Sequence, residues 1–236
     1  LKFKDYKIDL FLMKSLESLI TQNTKLGEMR ISVFNAISRR LPVLSIITLI
    51  KTVEEYKDNQ MVLANIVTMV GEIAQHKNDK YLFDYLVQFL DEKYTRRVRA
   101  NAAQYLYHSK KHKYKAVQLV DSLLTSEDLY DRSAVAYLAG RLNLKGLLPF
   151  VLDLSYNQSH KNSTLLISLI CMGHFKSCNR LGKLLLEQNE SDSITTLNQL
   201  SRVEETSYRL RVYEAVLDYS KESEDISNFM EMLRKS

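Results

Sequence analysis

The stretch "VRANAAQYLYHSKKHK", residues 98–113, opens as a small-residue helix face and ends in a burst of positive charge. Its first half decides the fold, because four other segments repeat the same design of an apolar helix with small residues near the middle. They are "MRISVFNAISRRL" (29–41), "NQMVLANIVTMVGEIA" (59–74), "YDRSAVAYLAGRLN" (130–143) and "NSTLLISLICMGHF" (162–175), beside "RRVRANAAQYLYHSK" (96–110) itself. Their late apolar anchors are Ile37, Met69, Leu106, Leu138 and Ile170, separated by 32, 37, 32 and 32 residues. A fixed period in this range marks an array of supersecondary units, each burying its apolar face against the next.

Between these segments lie more polar stretches with apolar residues at helical spacing: 43–57 (Val43, Ile46, Ile47, Ile50, Val53), 80–92, 114–125, 146–155 and 179–188. Each repeat therefore reads as a helical hairpin. An inner helix touches its partner and both neighbouring inner helices, so it must be apolar or small on several sides; Ala102, Ala103, Ala134, Ala136 and Ala139 allow that approach. An outer helix needs one buried stripe. Residues 1–41 are expected to form an N-terminal capping hairpin, with a first helix around 7–22 carrying Leu10, Met13, Leu16, Leu19 and Ile20. Residues 42–190 supply the central repeats. Residues 191–236 read as three C-terminal capping helices, each entered by a serine suited to N-capping, within one domain spanning 1–236.

The stretch "VRANAAQYL", and less closely "DRSAVAYLAG", resembles the second helix of a HEAT repeat, whose pattern runs Val-Arg-x-x-Ala-Ala-x-x-Leu-Gly. The resemblance covers roughly residues 29 to 190, with departures: Tyr107 stands where the family often has Gly, and Asp131 stands where position 99 has Arg. The proline common in the family's first helix is met only as Pro42 and Pro149. The resemblance implies an all-α, right-handed α-solenoid of about six HEAT-like helical hairpins. It further implies a non-enzymatic scaffold or adaptor that binds a protein partner on its concave, inner-helix face. A fold specifies far less about function than a site does. The alternative reading is a nucleic-acid-binding protein similar to the HEAT-like alkylpurine DNA glycosylases, which use a basic concave face, a carboxylate and aromatics, prominently Trp. This chain has no Trp, and Tyr105, Tyr107, Tyr114, Tyr130 and Tyr137 are helix-spaced and read as core. No residue argues for the bilin chemistry of the phycobilin-lyase-like members.

Composition agrees with an all-helical chain: 236 residues hold only six Gly and two Pro, too few for hairpin turns or a Gly-rich phosphate loop. Cys171 and Cys178 do not form a disulfide framework in a chain large enough to build its own core, so a reducing, cytoplasmic setting is expected. The triplets at Asn157, Asn162 and Asn189 match the glycosylation pattern by chance composition. The longest apolar run, Leu41 to Ile50, is ten residues with a proline inside, short of the roughly 20 that span a bilayer. Starting at Leu1 without a leader, the chain reads as a domain of something longer, such as the cytoplasmic part of a membrane-associated bacterial assembly. The net charge of +5 permits an anionic partner without requiring one.

Arg96, Arg97, Arg99, Lys110, Lys111, His112, Lys113 and Lys115 crowd into twenty residues. Clustered cations release counterions from phosphate or pair with carboxylates, so Arg96, Arg97, Lys110, Lys111, His112, Lys113 and Lys115 form the candidate partner-binding patch. The competing reading divides them: Arg99 falls at the family's structural arginine, and "HSKKHKYK" is a solvated inter-repeat loop. His108 and His112 stand four apart, and Cys171, His174 and Cys178 form C-x2-H-x3-C, both metal-like spacings. Lysines flank the first pair and Cys171 belongs to a core-facing helix, so no metal and no cofactor is assigned. No nucleophile motif, P-loop or dinucleotide fingerprint occurs, and Glu54–Glu55 and Glu204–Glu205 are sequence neighbours that project from different helix faces. No catalytic residue is assigned, and the expectation is a protein that is not an enzyme.

Overall fold

A computed structural model describes residues 42–157, 162–201, 203 and 205–220, with Phe11, Leu12, Lys14, Ser15, Glu17, Ser18, Val33 and Ala36 ahead of them. The regular elements among these residues are all helical, joined by turns, with no strand among them. In chain order the helices are α1 (Pro42–Glu55), α2 (Gln60–Lys77), α3 (Lys80–Leu86), α4 (Arg96–Leu106), α5 (Lys113–Leu124), α6 (Leu129–Arg141), α7 (Leu148–Asn157), α8 (Ser163–Cys171), α9 (Lys176–Glu187), α10 (Glu190–Leu200) and α11 (Thr206–Ser220). Two 3-10 turns adjoin them, Val87–Leu90 after α3 and Lys145–Leu147 before α7. The chain forms two compact units, one up to Ser122 and one from Leu123. Among the described residues no helix is long and apolar enough to cross a membrane.

Helices fall on the segments expected to be helical. α2, α4, α6 and α8 fall on the segments expected to be inner helices, and the anchors Met69, Leu106, Leu138 and Ile170 are all fully buried or nearly so. The outer stretches form α1, α3, α5, α7 and α9, although the one expected over 80–92 divides into α3 and the following 3-10 turn. Pro42 and Pro149 sit in the first turns of α1 and α7, where the missing N–H has no helical partner to lose. Of the expected first helix and its partner segment 29–41 only the eight residues named above are described, each helical, while the anchor Ile37 and the last capping helix lie outside the described residues.

Side-chain oxygens cap five helix starts, and at α10, where a serine cap is expected, an asparagine serves instead. Asn59, Asp79, Asp128, Asn162 and Asn189 cap α2, α3, α6, α8 and α10, each with its side-chain oxygen accepting from a first-turn N–H. At α10 the cap is Asn189, whose Oδ1 accepts from Asp192 N at 3.0 Å and whose Nδ2 donates to Asp192 Oδ2 at 2.8 Å. This reciprocal pair closes the helix start and leaves the nearby serines to other tasks. Ser193 is buried and donates to Leu185 O at 3.0 Å, tying α10 to α9.

Three inner helices stop the same way. Asn78, Asn143 and Gly173 adopt positive φ (49°, 50° and 90°) just past α2, α6 and α8. The next residue's N–H returns to a carbonyl five positions back: Asp79 to Ala74 at 2.9 Å, Leu144 to Ala139 at 2.8 Å, and His174 to Leu169 at 2.9 Å. This left-handed closure satisfies carbonyls that the helix ending would orphan. α4 has no such residue and leaves through successive turn bonds, His108 N to Tyr105 O and Ser109 N to Leu106 O.

In unit 1, α2 and α4 run parallel and in step. Thr95 N donates to Gln60 Oε1 at 3.1 Å, Arg97 donates to Met61 Sδ at 3.1 Å, and Asn101 Nδ2 donates to Ala64 O at 3.0 Å and Thr68 Oγ1 at 2.9 Å. One rung further, the ring of Tyr105 fills the space that a side chain at Gly71 would need; a Cβ there would lie 2.0 Å from a ring carbon. In unit 2 the inner helices α6 and α8 meet at Gly140, where a Cβ would come within 2.6 Å of Ser168 Cα. The outer helices α9 and α11 meet similarly at Gly182 and Ala215. The unit 2 core gathers Leu138's neighbours Ala136 and Ala139 with Leu165, Leu169, Leu181, Leu185, Leu197 and Val212.

Candidate functional site

The structure sorts the seven candidate residues into two places. Arg96 and Arg97 open α4, whereas Lys110, Lys111, His112, Lys113 and Lys115 follow its last turn or begin α5. The eleven residues of α4 separate the two sets by about 16 Å of helix.

Arg97 belongs to the inner-helix face. Besides Met61 Sδ it reaches Asn65 Oδ1 at 3.5 Å, the outer limit of a hydrogen bond. Met61 is 64% exposed, while Asn65 and Asn101 are each 9% exposed and Gln104 is buried. This face of α2 and α4 thus carries amides at its base and exposed Met61 and Arg97 at its N-terminal end. The sequence signal was present: Asn65 and Thr68 interrupt an otherwise apolar helix three residues apart. Arg99, read as the family's structural arginine, is half-buried and donates from Nε to Leu90 O at 3.3 Å, bracing the loop before α4.

The lysine run is anchored by a residue that the sequence did not single out. Asp84 on α3 accepts from Lys111 Nζ at 2.8 Å, and its same Oδ1 meets His112 Nε2. Hydrogen bonds first from Lys111 and then from His112 hold the Asp84 carboxyl below its ordinary range. His112 is buried, and its Nδ1 has no hydrogen-bond partner. It is therefore a packing element of the turn. Asp84 and His112 are 28 residues apart, so no local pattern links them. Lys113 Nζ lies 4.4 Å from the centroid of the Tyr107 ring, and Lys115 Nζ lies 6.0 Å from that of Tyr114. Burial first, then Lys113, pushes the pKa of His108 down.

The tyrosines do not share one environment. Tyr105 is buried and Tyr107 and Tyr137 are half-buried, in keeping with the core reading. Tyr114 and Tyr130, however, are 57% and 74% exposed. Each lies in the first turn of its helix, where the stripe facing the core has not yet begun, so helical spacing alone misassigned them.

The metal-like spacings are spent on other contacts. His174 Nδ1 pairs with Ser177 Oγ at 2.9 Å, and Cys178 is buried beneath α11, its Sγ 3.8 Å from Tyr208 O. Burial pushes the Cys178 thiol up. Both cysteines are free thiols. Among the described residues no three His, Cys, Asp or Glu side chains converge as a metal-ion set.

Comparison with protein-family models, with curated proteins and with solved structures finds no match for this chain.

Proposed function

We propose that this chain is a right-handed α-solenoid of HEAT-like hairpins that acts as a non-enzymatic scaffold or adaptor, holding a protein partner on its inner-helix face. The observation that carries the reading is the parallel, in-step packing of α2 and α4, rung by rung from Thr95–Gln60 to Asn101–Thr68. Such packing is what a stack of hairpins requires, and it turns the same side of successive inner helices to one surface. Met61 and Arg97 stand exposed at that surface, and Met and Arg are enriched where proteins meet. Asn65 and Asn101, nearly buried beneath them, are bonded across the two helices and hold that surface in shape. A cytoplasmic location, as a protein in its own right or as a domain of a larger assembly, belongs to the same proposal, and the two free thiols support it.

The test is photo-crosslinking in cells with a benzophenone amino acid at Met61 or Arg97, against Gln118 on the exposed side of α5. The reading expects one discrete adduct from both inner positions and none from Gln118. Adducts of equal yield at Gln118, or none from Met61 and Arg97, would overturn it.

A further inference from the structure

Because α2 and α4 run parallel and in step, their C-terminal ends lie side by side, and the turns leaving them share one edge of unit 1. The turn after α4 folds back on α3, the outer helix of the same hairpin, where Lys111 and His112 meet Asp84. Lys80 lies four residues before Asp84 on α3, hence on the same helix face and about 6 Å from it. Lys80, Lys110, Lys111, Lys113 and Lys115 are thereby gathered into a rim, with Asp84 and the α3 cap Asp79 as its nearby acids. Tyr81 and Tyr114, 58% and 57% exposed, stand among the lysines.

Helix electrostatics does not account for this placement. Cations are favoured at helix C-termini and disfavoured at N-termini. Yet Lys80 is the first residue of α3, and Lys113 and Lys115 are the first and third of α5. Three of the five lysines therefore sit where the backbone dipoles oppose them, and Asp84 pairs with Lys111 and His112, not with these three.

We propose that this lysine and tyrosine rim docks unit 1 on an anionic lipid bilayer. An anionic leaflet attracts each lysine near it, and tyrosine rings seat at headgroup level with their hydroxyls in water. The rim is built from turns and helix starts at one edge, which suits a broad, diffuse anionic plane. A single-stranded nucleic acid stacks successive bases on open aromatic faces, whereas of the two rim rings Tyr114 already has Lys115 near its face, which leaves Tyr81 alone rather than a row of rings. Readers of duplex sequence rely on the forked guanidinium, and the five cations of this rim are all lysine. The surface is distinct from the inner face of α2 and α4 and does not rest on a protein partner binding there.

The experiment is flotation of the full chain with phosphatidylcholine vesicles, with and without phosphatidylserine, at low salt and at about 0.5 M salt, where exposed charges are screened within a few ångströms. Binding is expected to the phosphatidylserine vesicles only, and to be lost at high salt. Lys110→Gln with Lys113→Gln lowers partitioning about 25-fold, taking about fivefold for each lysine. Lys183→Gln in unit 2 leaves it unchanged. Helix content by circular dichroism accompanies each variant, and Lys80→Gln with Lys115→Gln replaces the first pair if that pair alters the fold. Binding to neutral vesicles equally well, no binding to either, insensitivity to both double substitutions, or stronger binding to single-stranded or duplex DNA than to the vesicles overturns the proposal.

Discussion

Two inner-helix pairs, α2 with α4 in unit 1 and α6 with α8 in unit 2, solve the same packing problem by different means. Each brings two helices into close approach at a glycine, Gly71 in one and Gly140 in the other. In unit 1 the space goes to a side chain, the Tyr105 ring, and polar rungs from Asn101 and Arg97 hold the helices on either side of Met61, Ala64 and Thr68. In unit 2 it goes to backbone, because Ser168 presents its own Cα to Gly140 and turns its hydroxyl back to Thr164 O at 2.8 Å. A ring can swing aside and be replaced, but a backbone cannot. The two interfaces should therefore differ in how much damage a methyl group does and whether a second substitution repairs it.

The largest effect is expected at Gly140→Ala. Overpacking costs up to about 3 kcal/mol, and an alanine in a helix interior returns about 1 kcal/mol over glycine, leaving a net loss of about 2 kcal/mol in urea unfolding. Placing it in a Ser168→Gly background leaves that loss in place, since the contact with Cα remains. Repair by Ser168→Gly would break the comparison.

Next is Gly71→Ala, where a ring yields more than a backbone: overpacking of about 2.5 kcal/mol less the return of about 1 kcal/mol leaves a net loss of about 1.5 kcal/mol. Here the remedy works: in a Tyr105→Ala background the same substitution is neutral or stabilising, and the double-mutant cycle shows a coupling of about 1.5 to 2.5 kcal/mol. Independent, additive losses at 71 and 105 would show that the ring does not own the space at Gly71.

Asn101→Ala comes third. It removes two donations from a nearly buried amide, to Ala64 O and Thr68 Oγ1, and should lower stability by about 1 kcal/mol. Thermal unfolding of the variant is the check, and an unchanged midpoint would mean that these rungs follow the packing without supporting it.

The smallest effect concerns pH. Asp84 has its pKa held down in the folded chain by Lys111 and His112, so the contribution of this contact is present above the ordinary aspartate value near 4 and is lost as pH falls through the lower folded value. Asp84→Asn should flatten the stability decline below about pH 4 and change little near neutrality, where an exposed pair is worth little. A decline as steep in the variant as in the parent would separate Asp84 from acid unfolding.

The placement of the described helices and the burial of their late apolar anchors were legible in the sequence because burial on several sides imposes a composition that a linear pattern preserves. Met69, Leu106, Leu138 and Ile170 fell in the core on that ground alone. The polar rungs were half legible, since Asn65 and Thr68 stand out in an apolar helix but their partners across the interface do not. Asp84 was not legible, because its partners are a turn 27 and 28 residues away and nothing local marks it. Tyr114 and Tyr130 were misassigned because spacing gives a residue's angle around a helix, whereas exposure in a first turn depends on what the neighbouring element covers. The start of α10 was misread because Ser and Asn are both good caps, and the choice there rests on Asn189 pairing with Asp192 while Ser193 turns inward.

The most direct test of the account is the register of α2 against α4, on which both the inner face and the lysine rim depend. Pairs of spin labels at Met61 with Arg97, His76 with His108, and Met61 with His108 can be measured by pulsed dipolar spectroscopy. Parallel, in-step helices give short distances for the first two pairs and one longer by about 15 Å for the third, since an axial rise of about 22 Å combines at right angles with a helix spacing of about 9 Å. A short distance between Met61 and His108, with a long one between Met61 and Arg97, would contradict it.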